Sequence, residues 1–219
     1  MARDGVATQL YLVLPVTGST AASLDARVGA AQRGGAVATV LIEPDVDNPP
    51  SPSDLAKAVS AIQQRGVATL VAGDASLARV VKADGTHLSV SKAPVAAYGE
   101  ARETLGTRFI VGVDVGRTRH DAMSLGEAGA DYVAFGIPAH VEDRDTARGR
   151  RLDLIGWWSE IFEIPCVAFD VETPEEAEDL ARAGADFVAV RLPADIAVDA
   201  VAGHLAPFFA ALDLTAPAT

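Results

Sequence analysis

The sequence has few aromatic residues and a single cysteine. Aromatic residues make up 5% of the 219 residues, whereas apolar residues as a whole reach 49%. The interior must therefore be filled mainly by Ala, Val, Leu and Ile, the mixture typical of strands covered by helices. Cys166 is the only cysteine, which excludes an intrachain disulfide and a thiolate metal cluster. We infer an α/β fold, a structural thiol at Cys166, and a reducing, cytoplasmic location.

Positive charge is also scarce. The chain carries 18 Lys and Arg residues against 30 Asp and Glu residues, a formal net charge of -12. A general nucleic-acid binder needs Lys and Arg to neutralise phosphates, so this balance argues against nucleic acid and against an anionic membrane surface as partners. No stretch approaches the roughly 18 apolar residues of a membrane span. A secretory signal has a basic segment followed by a long apolar run. The sequence that begins with Met1–Gly5 lacks this pattern, so we expect no secretory signal.

One helix-to-strand junction recurs along the chain. Copies begin at Arg33, Lys82, Glu127 and Arg182, and each joins a helix end and a polar turn to an apolar run too short for a helix. Recurrence of this junction indicates repeated αβ units and therefore parallel strands.

Reading outward from these junctions predicts eight strands and eight helices. The strands are expected at Leu10–Leu14, Ala38–Glu43, Ala68–Ala72, Gly85–Leu88, Phe109–Val113, Tyr132–Phe135, Cys166–Phe169 and Phe187–Val190. The helices are expected to begin near Ser19, Ser53, Ser76, Pro94, Arg117, Leu152, Pro174 and Asp195. Eight alternations predict a single (β/α)8 TIM barrel over residues 1–214 with a flexible tail at 215–219. A doubly wound sheet, which usually stops at about five to seven strands, is the alternative.

Several segments resemble the thiamine phosphate synthase family, which includes thiazole tautomerases. The resemblance rests on Leu10–Val13, Ala83–Leu88, Gly129–Gly136, Ile164–Ala168 with Thr173–Glu175, and Gly184–Val190. It implies a TIM barrel and a homodimer. It also implies the family reaction, in which a pyrimidine diphosphate is joined to a thiazole phosphate and pyrophosphate is released with the assistance of magnesium. Such chemistry needs cations on the leaving group.

The chain departs from the family pattern where phosphate and magnesium are expected to bind. After the second strand, Glu43 and Asp45 replace the Arg and Lys of the family's Gln-Leu-Arg-x-Lys. Asp74 keeps one aspartate ligand of Mg²⁺, but Lys92 replaces the second, so the site should bind Mg²⁺ weakly. Asp170–Val171 replaces the Gly-Gly whose bare backbone approaches the thiazole phosphate. The resemblance therefore implies the fold more strongly than the reaction.

Side chains at the carboxyl ends of barrel strands are expected to converge on one mouth. The catalytic candidates are Asp74, Asp114, Glu43 and Asp170, with Asp74 also a metal candidate. The ligand-binding candidates are Ser89, Ser91, Lys92, Gly136, His140 and Arg191. Asp74 suits a helix cap equally well, and the other carboxylates suit solvated loops. If Glu43, Asp114 and Asp170 share a site, they should raise one another's pKa values or recruit a cation.

Other polar and aromatic residues have alternative interpretations. His87 suits a hydrogen-bonded core or rim position better than a catalyst. Arginines 144, 148, 150 and 151 lie in a predicted loop and form either a phosphate-binding lid or a solvated charge run. Neighbouring Trp157 and Trp158 on a helix would point about 100 degrees apart, so one should be buried while the other meets a partner.

Three functions remain open from the sequence. The first is a divergent thiamine phosphate synthase that binds phosphorylated ligands. The second is a tautomerase or isomerase that uses carboxylate acid/base chemistry. The third is a non-catalytic ligand-binding pseudoenzyme. The three hypotheses share one fold, because a fold does not specify a reaction.

Overall fold

Eight strands and eight α-helices alternate along the residues that this computed structural model describes, namely 7–18, 20–116, 118–138 and 140–213. The strands are β1 Gln9–Val16, β2 Val37–Pro44, β3 Ala68–Ala72, β4 Gly85–Leu88, β5 Ile110–Asp114, β6 Tyr132–Phe135, β7 Cys166–Val171 and β8 Phe187–Arg191. The helices are α1 Leu24–Gln32, α2 Pro52–Gln63, α3 Ala75–Val80, α4 Pro94–Leu105, α5 Arg119–Ala128, α6 Arg144–Ile161, α7 Pro174–Arg182 and α8 Val201–Asp213. None of these helices is long and apolar enough to cross a membrane.

The sheet closes on itself. Each strand pairs in parallel with the next, and β8 returns to pair in parallel with β1, with Leu12 opposite Val190. This topology confirms the predicted (β/α)8 TIM barrel. The predicted bounds of β3, β4 and β6 agree with the structure, and the other strands differ by one or two residues at their ends.

Two helix predictions are wrong. The first turns of α6 were expected to be an arginine-rich loop, with a helix from Leu152. The helix instead begins at Arg144. Asp143 is its N-cap, and its side chain accepts the Thr146 N–H at 3.1 Å. The many charged residues in these turns hid the helical pattern. The last helix begins at Val201 instead of near Asp195. The predicted starts near Ser19 and Arg117 and the predicted tail at 215–219 lie outside the described residues.

Alternate side chains of each strand enter two different cores. Leu10, Leu12 and Leu14 pack outward against the helices, whereas Tyr11 and Val13 point into the barrel. The inner core is filled by a small set of buried apolar and aromatic side chains: Tyr11, Val13, Leu41, Leu70, Tyr132, Ala134, Val167, Phe169 and Ala189. This layer forms the floor beneath the carboxyl ends of the strands, where barrels of this type hold their sites.

The outer core contains the predicted structural thiol and one of the paired tryptophans. Cys166 is fully buried on β7. Trp158 is also fully buried and stacks on Phe162 at 4.0 Å, while Trp157 is only partly buried and lies under the Arg119 guanidinium. One indole is therefore buried and the other partly buried, as expected for neighbours on one helix, although both contact Phe162 and each other.

A buried polar chain crosses the inner core. The hydroxyls of Tyr11 and Tyr132 are hydrogen-bonded at 3.0 Å, and His87 Nδ1 lies 3.0 Å from the Tyr132 hydroxyl. The His87 ring also stacks on Phe169 at 4.5 Å. Burial lowers the pKa of His87 to about 3, so the imidazole is neutral at physiological pH. The core position predicted for His87 is confirmed.

Gly112 should be essential for this packing. A Cβ at Gly112 would lie 1.9 Å from the ring of Tyr132, its partner on β6, so Gly112→Ala must displace the ring and its hydrogen bonds. We expect a loss of about 1 to 3 kcal/mol in the free energy of unfolding. Urea denaturation measures it.

Gly99→Ala is the matched control, because nothing lies within 4 Å of its Cβ position inside α4. It should stabilise the protein by up to about 1 kcal/mol. Equal urea midpoints for the two variants would contradict the packing argument.

Candidate active site

Two aspartates meet at the barrel mouth on either side of a glycine. Asp114 ends β5, Gly136 directly follows β6, and Asp170 lies near the end of β7. A Cβ built on Gly136 would lie 2.7 Å from Asp170 Oδ2 and 3.0 Å from Asp114 Oδ2. The two oxygens are therefore less than 6 Å apart, about the reach of one bridging atom. The space between them exists because Gly136 has no side chain.

The environment of Asp114 perturbs its carboxyl group. Its carboxylate is partly buried and accepts the Gly116 N–H at 2.8 Å. The pKa of Asp114 is raised to about 6: burial is the main cause and the charge of Asp170 adds to it, while the backbone N–H groups of Gly116 and Gly136 oppose the change. A carboxyl group with a pKa near neutrality can both donate and accept a proton under physiological conditions.

Asp170 has an uncommon backbone conformation. The β7–β8 register shifts between Ala168 and Val171, which makes a bulge, and Asp170 has φ of 57°. This left-handed conformation costs a residue with a side chain about 1 to 2 kcal/mol. The conformation aims Asp170 Oδ2 at the Ile137 N–H, which it accepts at 2.8 Å. The position at which the resemblance implies Gly-Gly thus has a left-handed backbone conformation and carries a carboxylate.

A small cavity adjoins Asp170. Its volume is about 180 Å³. It is lined by Val13, Arg144, Phe169, Asp170, Val171, Glu172, Ala189 and Arg191. The inner-core side chains form an apolar floor, and two guanidinium groups stand at the rim. The lining therefore combines an apolar floor with two guanidinium and two carboxylate groups.

The rim arginines already have carboxylate partners. Arg191 at the end of β8 forms an ion pair with Glu43 at the end of β2, across β1. Arg144 Nη2 lies 2.7 Å from Glu172 Oε1. Glu43 therefore belongs with Arg191 and not with the Asp114–Asp170 pair.

The remaining arginines of the predicted lid are on α6. Arg148 pairs with Glu172 at 2.6 Å, Arg151 is buried, and Arg150 is exposed. Arginines 144, 148 and 151 follow the spacing of one helix face, and this periodicity is the signal that could have revealed them as a helix facing β7.

The other predicted site residues lie in the segments after β3, β4 and β6. Asp74 is exposed and caps α3 by accepting the Leu77 N–H at 3.0 Å, so the structure shows the capping role. Ser89, Ser91 and Lys92 are exposed in the loop between β4 and α4, and His140 is exposed ahead of α6. Val90 in the same loop lies 3.0 Å from the Cβ position of Gly116, so this loop borders the Asp114 turn.

The donor set fits a resident Mg²⁺ poorly. Among the described residues, no group of three or more His, Cys, Asp or Glu side chains is arranged to hold a metal ion. The Asp74 carboxylate is used as a helix cap. Lys92 also places an ammonium in the loop where the family resemblance implies a second carboxylate.

Sequence reasoning missed the Ile137 N–H that binds Asp170 and the Phe169 side chain that forms the floor. It placed Arg151 in a lid or a solvated charge run, whereas Arg151 is buried and contacts the backbone of β7. These interactions depend on the β7 bulge, which no sequence pattern marked.

Asp114→Asn should become progressively more stable than the wild type as the pH rises. The pKa of Asp114 is about 6 in the folded protein and near 3.8 in an unfolded chain, so the native state binds the extra proton and loses stability as it ionises. We expect a relative gain of about 3 kcal/mol for the variant between acidic and neutral pH.

Urea denaturation of both proteins at several pH values measures this difference. A stability difference that stays constant across the range would show that Asp114 titrates normally.

Comparison with known proteins supports the family resemblance. Residues 10–192 match the sequence model of the thiamine monophosphate synthase family. A thiamine-phosphate synthase from Erythrobacter litoralis is 40% identical over 195 residues, which cover 87% of this chain and 89% of that protein. A thiamine-phosphate synthase from Thioalkalivibrio sulfidiphilus is 35% identical over 182 residues, covering 83% of this chain and 84% of that protein.

A solved structure shows the same fold. The thiamine phosphate pyrophosphorylase from Pyrococcus furiosus superposes with a TM-score of 0.70 at 19% identity, covering 94% of this chain and 96% of that one. The closed barrel, the family match over residues 10–192 and the 40% identity to a relative of nearly equal extent lead to one conclusion. The chain belongs to the thiamine monophosphate synthase family.

Proposed function

We propose that this protein is a small-molecule enzyme of the family that transfers protons at the barrel mouth, as a tautomerase or isomerase does. The observation that carries the proposal is the pair of carboxylates, Asp114 and Asp170, held around Gly136. Asp114 is the general acid and base, because its pKa of about 6 lets it exchange a proton near neutral pH. Asp170 keeps a second negative charge beside it and accepts the Ile137 N–H.

The proposed substrate is an anionic heteroaromatic compound of the thiazole phosphate class that binds in the cavity beside Asp170. Phe169, Val13 and Ala189 supply an apolar floor for a ring. Arg144 and Arg191 stand at the rim and supply donors for the anionic group. A guanidinium has five N–H donors, so each arginine can keep its carboxylate partner and also bind an anion.

The family coupling reaction is the second candidate. It is favoured by the 40% identity to a relative named thiamine-phosphate synthase, of which the match covers 89%. Expulsion of a diphosphate requires cations on the leaving group. Glu43 and Asp45 stand where the family resemblance implies those cations, and Glu43 occupies Arg191 as well. The charge distribution therefore favours proton transfer over coupling.

Two assays distinguish the candidates. In the first, the protein is incubated in D₂O with a thiazole phosphate tautomer, and NMR follows isomerisation and deuterium uptake. In the second, it is incubated with Mg²⁺, the pyrimidine diphosphate and the thiazole phosphate, and pyrophosphate is measured.

We expect turnover in the first assay and a loss of about 100-fold or more in Asp114→Asn, which removes the proton-transfer group but keeps a similar shape. Asp74→Ala is the matched control, because Asp74 caps α3 away from the aspartate pair, and it should keep the isomerisation rate. Pyrophosphate release by the wild type that is lost in Asp74→Ala would instead establish the coupling reaction. Isomerisation that is unaffected in Asp114→Asn would remove Asp114 from the mechanism.

A further inference from the structure

A buried arginine on α6 contacts the backbone of β7 at the bulge. Arg151 is 2% exposed. Its Nη1 donates hydrogen bonds to the carbonyl oxygens of Phe169 and Asp170, the latter at 3.2 Å. Its Nη2 donates to Glu176 on α7. One guanidinium thus holds two consecutive carbonyls of the strand and one carboxylate of the next helix.

Glu176 extends this contact past the bulge. While Oε1 pairs with Arg151, Oε2 accepts the Glu172 N–H at 2.8 Å. Arg148 Nε lies 3.2 Å from Glu176 Oε1. The Arg151–Glu176 pair therefore fixes the backbone on both sides of the bulge, at Phe169–Asp170 and at Glu172.

The arrangement is costly unless it maintains a specific geometry. Burial of a guanidinium is unfavourable even when it is paired, and a hydrophobic side chain of similar volume often packs as stably. Arg151 Nε is buried and has no hydrogen-bond partner among the described residues, which adds to the cost. The arginine holds the left-handed turn at Asp170, and in this conformation the Asp170 carboxylate accepts the Ile137 N–H and faces Asp114 across Gly136.

We propose that Arg151 is a positioning residue that keeps Asp170 beside Asp114 by clamping the bulged end of β7. Without the clamp, the bulge relaxes, Asp170 releases the Ile137 N–H, and water reaches Asp114. The catalytic consequence rests on the proposed function, whereas the clamp itself is measurable without a substrate.

The surroundings of Asp114 determine whether its pKa rises or falls when Arg151 is replaced. Asp114 faces the Asp170 carboxylate from β7, the Gly136 N–H and buried Tyr132 from β6, and the Gly116 N–H from its own turn. Removal of a positive charge nearby would by itself raise the pKa of a carboxyl group. Loss of Asp170 and entry of water would lower it. The two explanations for an effect at Arg151 therefore predict opposite shifts.

The test is the titration of Asp114 by carboxyl ¹³C NMR in the full chain, with the signal assigned by its absence in Asp114→Asn. In Arg151→Met we expect the Asp114 midpoint to fall by about one pH unit. Hydrogen exchange of the Ile137 amide should accelerate about tenfold or more, since its acceptor is lost. An unchanged or raised midpoint would overturn the proposal.

Matched variants separate the clamp from charge and from general destabilisation. Arg150→Met removes the same charge from the exposed neighbouring position and should leave the midpoint unchanged. Arg151→Lys keeps the charge but cannot span two carbonyls and Glu176, so the Asp114 midpoint should also fall. If Arg151→Met does not fold, the Arg151→Lys variant replaces it in the test. A lysine variant with a wild-type midpoint would contradict the clamp.

Asp170→Asn completes a double-mutant cycle. If Arg151 acts through Asp170, Arg151→Met combined with Asp170→Asn should shift the midpoint no further than Asp170→Asn alone. Additive shifts would show that Arg151 acts by another route. Absence of turnover in the wild type would remove the proposed function but would leave these titrations, and hence the clamp, intact.

Discussion

Closure of the parallel sheet is the constraint on which every other feature depends. The β8–β1 pairing makes a cylinder, so residues that are distant in sequence end on one rim. Asp114 and Asp170 come together because β5 and β7 both flank β6, and Glu43 meets Arg191 because β2 and β8 both flank β1. The same closure leaves room for only a few side chains per layer of the interior. The ring of Tyr132 therefore needs a residue without a side chain, Gly112, beside it.

The charged side chains at the rim make two kinds of contact. Arg191 pairs with Glu43 beside β1, and Arg144 pairs with Glu172 beyond the ends of β6 and β7. Asp114 and Asp170 instead face each other across Gly136 and accept backbone N–H groups. Paired charges suit the recognition of a single anionic group, and the facing carboxylates suit proton transfer. A diphosphate would meet more negative than positive charge at this rim.

The β7 bulge links scaffold and chemistry. Its left-handed residue is strained, and the strain is maintained by Arg151 and Glu176 from the surrounding helices. Strained backbone of this kind persists only where neighbouring structure fixes it, and it is concentrated at functional sites. The helices outside the barrel therefore contribute to the geometry of the mouth, although none of their side chains belongs to the aspartate pair.

The sequence by itself determined the repeated αβ units, the parallel strands, the buried thiol of Cys166 and the family, because these follow from local periodicity and from segments with recognisable order. It also identified Asp114 and Asp170 as residues at strand ends. Only the tertiary structure decided that these two share a site while Glu43 pairs with Arg191, that Asp74 is a helix cap, and that Arg151 lies behind β7. Partnership among charged side chains depends on distances across strands and on a one-residue bulge, and neither is encoded in the spacing of residues along the chain.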